Sequence, residues 1–144
     1  MPFKLSQESG SAITVKVNIP ANTTIVKDTL LALDVINKGV IPATSASTTA
    51  LVRFVAQEAL TSTSSATKIR AILIESGQIW EADCTNATLA SQLFIRQVLT
   101  DAATVNNSTT DTAGPTGVFE PVQIIGATGD KKLRGLIRSF SPTA

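Results

Sequence analysis

A chain of 144 residues with 43% apolar content is sized for one domain and can bury a core without metals or disulfides. Its net charge of +1, with 16% charged residues and no histidine, gives nucleic-acid binding little electrostatic support and removes the commonest general base and metal ligand. One cysteine excludes a disulfide framework, and no apolar run approaches the roughly 18 residues of a membrane span.

Residues 1–11 (MPFKLSQESGS) lack the apolar stretch of a secretory signal, so cytoplasmic synthesis without export is expected. They read as an extended N-terminal arm ahead of a single β-domain over residues 12–144. Phe3 and Leu5 are isolated apolar groups in that arm, suited to docking on a neighbouring subunit. On this reading, removing the arm leaves the domain folded.

Residues 12–19 (AITVKVNI) alternate, with Ile13, Val15, Val17 and Ile19 facing one way and Thr14, Lys16 and Asn18 the other. Pro20-Ala21-Asn22 ends this strand. Residues 25–34 are extended, with Leu31 and Leu33 on one face and Leu30 and Ala32 on the other. A turn at Asn37-Lys38-Gly39 and a short strand follow, then the Ser/Thr loop 44–49. The β-branched and aromatic content of residues 50–59 (ALVRFVAQEA) favours a strand.

Residues 66–84 (ATKIRAILIESGQIWEADC) read as a β-hairpin about Ser76-Gly77, where glycine supplies a positive φ. The register sets Leu73 opposite Trp80 and Arg70 opposite Asp83. One face collects Ile69, Ala71, Leu73, Trp80, Ala82 and Cys84. The other carries the charges, with Ile72, Ile74 and Ile79 near the tip. These three need a cover, from a second sheet or a neighbouring chain. With Phe3 and Leu5 they are the candidate interaction residues.

Further on, Asn86 is placed to cap a short helix over residues 87–92. Residues 93–99 (LFIRQVL) read as a strand, and residues 100–117 as a long polar loop with a helical turn at 101–103. Pro121 in the strand 118–125 (VFEPVQII) demands an edge or a bulge. The turn GATGD leads to a last strand, 131–140. The count is about eight to ten short strands, an all-β compact sandwich or partly open barrel with one short helix.

No catalytic, cofactor-binding or metal set emerges. Glu81 and Asp83 share a strand face, which fits a cross-strand salt bridge with Arg70 better than paired-carboxylate chemistry. The loop DAATVNNSTTD lacks calcium-loop spacing, and GATGDKK lacks the spacing of a phosphate loop. Asn22, Asn86 and Asn107 begin N-x-Thr triplets that read as chance matches in a Thr-rich chain. Cys84 and Trp80 read as core residues. An exposed Trp80 would instead point to a carbohydrate-binding β-sandwich.

The segments GVIPAT, ILIESGQIWEAD, LTDAATVNN and IIGATGDKKLRGLI, in this order, resemble the small head decoration (cement) proteins of tailed bacteriophages. The likeness spans residues 12–140. It implies a non-enzymatic β-domain on the outer capsid surface of the virion, without cofactors. It implies two partners: the major capsid protein, and copies of itself as a trimer or dimer. Neither nucleic acid nor membrane is implied. Another virion structural part (tail tube, fibre or head completion) and a carbohydrate-binding module stand as alternatives.

Overall fold

The computed structural model describes residues 3–7, 12–112, 114–127 and 129–139. The described chain is all-β. Its strands are β1 (Phe3–Gln7), β2 (Thr14–Ile19), β3 (Thr24–Ile25), β4 (Leu30–Asp34), β5 (Gly39–Pro42), β6 (Val52–Ala56), β7 (Leu60–Thr61), β8 (Thr67–Leu73), β9 (Ile79–Cys84), β10 (Gln97–Asp101), β11 (Thr104–Thr110), β12 (Phe119–Ile124) and β13 (Lys132–Ile137). A 3-10 turn at Ala90–Gln92 stands where the sequence suggests a short helix.

Two layers follow from the pairing. Strands β9, β11, β10, β12 and β13 form a barrel, because β13 returns to pair with β9. Strand β9 lies at its centre of connection. It takes β13 on one edge; on the other it takes β1, antiparallel, and then β11, parallel at Asp83 and Cys84. The second layer is a five-stranded antiparallel sheet in the order β2-β8-β6-β4-β5. Strands β3 and β7 make a small separate pair.

The sheet buries both faces, and this creates two cores. Leu30, Ala32, Val52 and Val55 join Phe3, Trp80, Leu99, Val105, Phe119 and Leu133 in the first, against the barrel. Leu31, Ala56, Ile69 and Ala71 join Ile19, Ile25 and Val40 in the second, on the sheet's other face. The alternation seen in residues 30–33 is thus real, with each phase serving a different core. The sheet also curls until its two end strands meet. A Cβ on Gly39 would lie 2.8 Å from the Asn18 carbonyl oxygen, an approach that only glycine permits. Pro121 sits at a register shift between β12 and β13, as its missing N–H requires.

The hairpin over residues 66–84 does not form as a paired unit. Strand β8 is an inner strand, bonded to β2 and β6, so it has no free edge for β9. The turn instead carries the chain from the sheet to the barrel. Gly77 has the expected positive φ of 88°. Buried Gln78 holds the crossing: its Oε1 accepts from the Glu75 amide at 2.7 Å, and its Nε2 donates to the Leu73 carbonyl at 3.3 Å. Leu73–Trp80 and Arg70–Asp83 are therefore not partners. Ile69 and Ala71 enter the second core, whereas Trp80, Ala82 and Cys84 enter the first.

Four further expectations change. Phe3–Gln7 of the arm is a strand of this chain's own β-structure, with Phe3 fully buried and 6.3 Å from Phe119 ring to ring. An arm that can be removed without cost is therefore not what the fold contains; the remaining arm residues lie outside those described. Residues 104–110, whose polarity suggests a loop, form β11, in which Val105 and Asn107 point inward and are buried. The strand expected at 93–99 begins only at Gln97, because Phe94 turns left-handed at φ 65°. Asp101 closes the β10–β11 turn by accepting the Ala103 amide at 2.8 Å, where a helical turn was expected.

Candidate interaction surfaces

The groups with chemical potential are committed to structure. Cys84 is buried, and burial, with the neighbouring Asp83 charge, pushes its thiol up to about 12, far from a nucleophilic thiolate at neutral pH. Glu81 pairs with Arg134 at 3.4 Å, and Asp83 with Lys132 at 3.2 Å. Arg70 instead meets Glu58 at 3.5 Å. The two acids thus sit in cross-strand ion pairs on the barrel. No group of three or more His, Cys, Asp or Glu side chains suited to a metal occurs among the described residues. Trp80 is buried, so its ring is not offered to a sugar. Asn107 is buried as well, which removes it as a glycan acceptor.

The five candidate interaction residues separate. Phe3 and Ile74 are fully buried in the first core, covered by this chain's own layers. Leu5 and Ile72 are half-buried against the same core. Ile79 is half-buried at the start of β9. The structure does not gather them into one exposed patch.

Among the described residues the three most exposed large apolar side chains, Ile36, Phe94 and Val35, lie elsewhere, at two sites. The first is the tip between β4 and β5, where Val35 is 60% and Ile36 85% exposed. Asp34 fixes this tip, accepting from the Ile36 amide (3.2 Å), the Asn37 amide (3.1 Å) and Asn37 Nδ2 (2.8 Å). Those bonds, the Asn37 side chain foremost, hold the Asp34 carboxyl below its usual range.

The second site surrounds the 3-10 turn, where Phe94 is 69% and Leu89 52% exposed. A bulky residue at positive φ is a true outlier, and here the surroundings impose it. The Phe94 amide donates to the Pro121 carbonyl at 2.7 Å. The turn itself hangs on Asn107, whose Oδ1 accepts from the Asn86 amide at 2.9 Å and whose Nδ2 donates to the Asn86 carbonyl at 3.0 Å and to Gln92 Oε1 at 3.1 Å. Gln92 Oε1 in turn accepts the Leu89 amide at 2.9 Å, so Gln92 does the capping expected of Asn86. Next to it, Arg96 donates to the Thr112 and Gly114 carbonyls, and Asp111 accepts from Gly114 and Thr116. A rigid polar frame therefore presents a strained aromatic to solvent. Sequence reasoning missed both sites. The apolar pair inside DVINKG, on a turn, was the available signal for the first.

No protein-family model matches the chain, and no curated protein matches it by sequence. A solved structure does match. The chain resembles the crystal structure of the head fiber gp8.5 N base in bacteriophage phi29, with a TM-score of 0.53. The match covers 88% of this chain and 97% of that chain at 14% sequence identity. At that identity the likeness carries the fold: both chains share the all-β architecture across nearly their whole length.

Proposed function

We propose that this protein is a non-enzymatic structural component of a phage virion, seated on the outer capsid surface. The observation that carries the reading is the near-full-length fold likeness to a head fibre base. Among the roles open to such a protein, a base or anchoring module for a head fibre draws more support from it than a free-standing cement protein does. The decoration reading retains the order of sequence segments that resemble cement proteins. Both roles use the same physics: a rigid β-body that binds other chains through exposed apolar groups and needs no catalytic set. Ile36 and Phe94 are such groups, each held on a braced turn. The partners proposed are the major capsid protein and further copies of this chain.

Gold-labelled antibody against the protein, imaged on intact particles, tests the location. Label on the head faces is expected. Label confined to the tail, or no label on washed particles, overturns the proposal. Label at the base of projections rather than directly on the shell distinguishes the fibre-base role from decoration.

A further inference from the structure

The curled sheet does not close along its full length. At one end β2 and β5 touch, through Asn18 and Gly39. Beside that contact an open groove of about 400 Å³ separates β2 from the β4–β5 tip. Its floor is the second core: Val17, Leu33 and Phe54 line it and are only half-buried. Its rim carries Lys16 and Lys38.

Among the described residues, no strand pairs with the β2 edge on one side of this groove. The Leu73 amide of β8 donates to the Ile13 carbonyl at 2.8 Å. In an antiparallel ladder the bonded residues alternate, so Ile13, Val15 and Val17 turn their amides and carbonyls to β8. Thr14, Lys16 and Asn18 turn theirs to the opposite edge, where the groove lies; Gly39 already packs on the Asn18 carbonyl, which leaves the Asn18 amide and the Thr14 and Lys16 main chain to the groove. That edge offers main-chain hydrogen bonds beside an apolar floor, the two elements of strand addition.

Charge selects the occupant. Asp34, the acid among the lining residues, spends its carboxylate on its own turn. The Asp34 carboxylate keeps its charge and Glu58 lies within electrostatic reach of Lys16, but Lys38 makes no ion pair among the described residues, so two lysines face one acid in the lining and it is net positive at Lys38. A second copy pairing edge to edge about Lys16 would set lysine against lysine. We infer that the β2 edge and its groove receive an extended segment of a partner protein, with apolar residues over Val17, Leu33 and Phe54 and acidic residues toward Lys16 and Lys38. The inference stands independently of the virion role, since it rests on the edge, the floor and the rim.

The test titrates the full ¹⁵N-labelled chain with the capped peptide Asp-Val-Asp-Val-Asp, and with its Lys-Val-Lys-Val-Lys counterpart. The expected result is saturable shifts at the amides of Lys16, Asn18, Lys38 and Gly39, with slowed hydrogen exchange at Lys16 and Asn18. Lys38→Glu is expected to weaken the acidic peptide about fivefold, and Lys16→Gln by less. The spectrum of each variant reports whether it is folded. Absent shifts, shifts centred away from β2, or equal binding of the basic peptide overturn the inference. So does concentration-dependent self-association that protects the same two amides without peptide, which would make a second copy the occupant.

Discussion

The two cores of this protein share a sheet and differ in closure. The first is sealed between barrel and sheet and holds the large aromatics Trp80, Phe3 and Phe119. The second is aliphatic, and its margin of Val17, Leu33 and Phe54 is half-open to solvent. A sealed core rewards large rigid side chains, because every atom finds neighbours. An open one collects less of that reward: its buried residues are Ile, Leu, Val and Ala, and its one large ring, Phe54, sits half-open at the margin. The difference separates roles in the fold: the barrel side is sealed and holds the chain together, and the sheet's far side leaves an apolar margin open to solvent.

The strongest break in that contrast is Phe3→Ala. It empties a fully buried aromatic site in the sealed core, and a loss of about 3–5 kcal/mol is expected in denaturant unfolding. A loss under about 1 kcal/mol would mean that β1 is not seated on β9. Next comes Asn107→Ala, which leaves the Asn86 amide without its buried acceptor; about 1–3 kcal/mol is expected, together with faster proteolysis near Phe94. Phe54→Ala, at the open margin, is expected to cost less than Phe3→Ala in the same assay, because its ring is already partly in water. If the two match, the second core is sealed in solution.

Cys84 sharpens the comparison by titration. Its thiol is raised from an ordinary 9.0 to about 12 in the fold. The unfolded chain therefore loses that proton first as pH rises, and the native state loses stability as pH climbs from about 9 toward about 12. Cys84→Ala is expected to remove that part of the alkaline slope. An unchanged slope would mean that the thiolate is solvated. The smallest effect concerns the surface. A double-mutant cycle on Arg70 and Asp83 is expected to give no coupling, and one on Lys132 and Asp83 at most about 1 kcal/mol.

That last pair shows where the sequence was legible and where it was not. The alternation in β2 and the two-phase pattern of residues 30–33 were readable, because a side-chain period of two is a local property. The Ser76-Gly77 turn was readable as a turn. Its destination was not. Nothing within residues 66–84 encodes that β8 is flanked on both edges by β2 and β6, and only that fact sends β9 to another layer. Polarity misled at β11, since Asn107 faces inward to bind the backbone of residues 86 and 87. The exposed sites were hidden for a related reason. Phe94 is pointed outward by a left-handed residue and a bond to Pro121, a contact between segments far apart in the chain.

The three-way pairing of β9 has a mechanical meaning. Tension applied at Phe3 and directed along β1 would load its ladder with β9 in shear, so that the bonds resist together. Tension applied across the strands would peel them one at a time. Since β9 also grips β11 and β13, a load carried through that ladder spreads into the barrel rather than stopping at one seam. The direction of pull, more than the number of bonds, decides how firmly this end of the molecule holds.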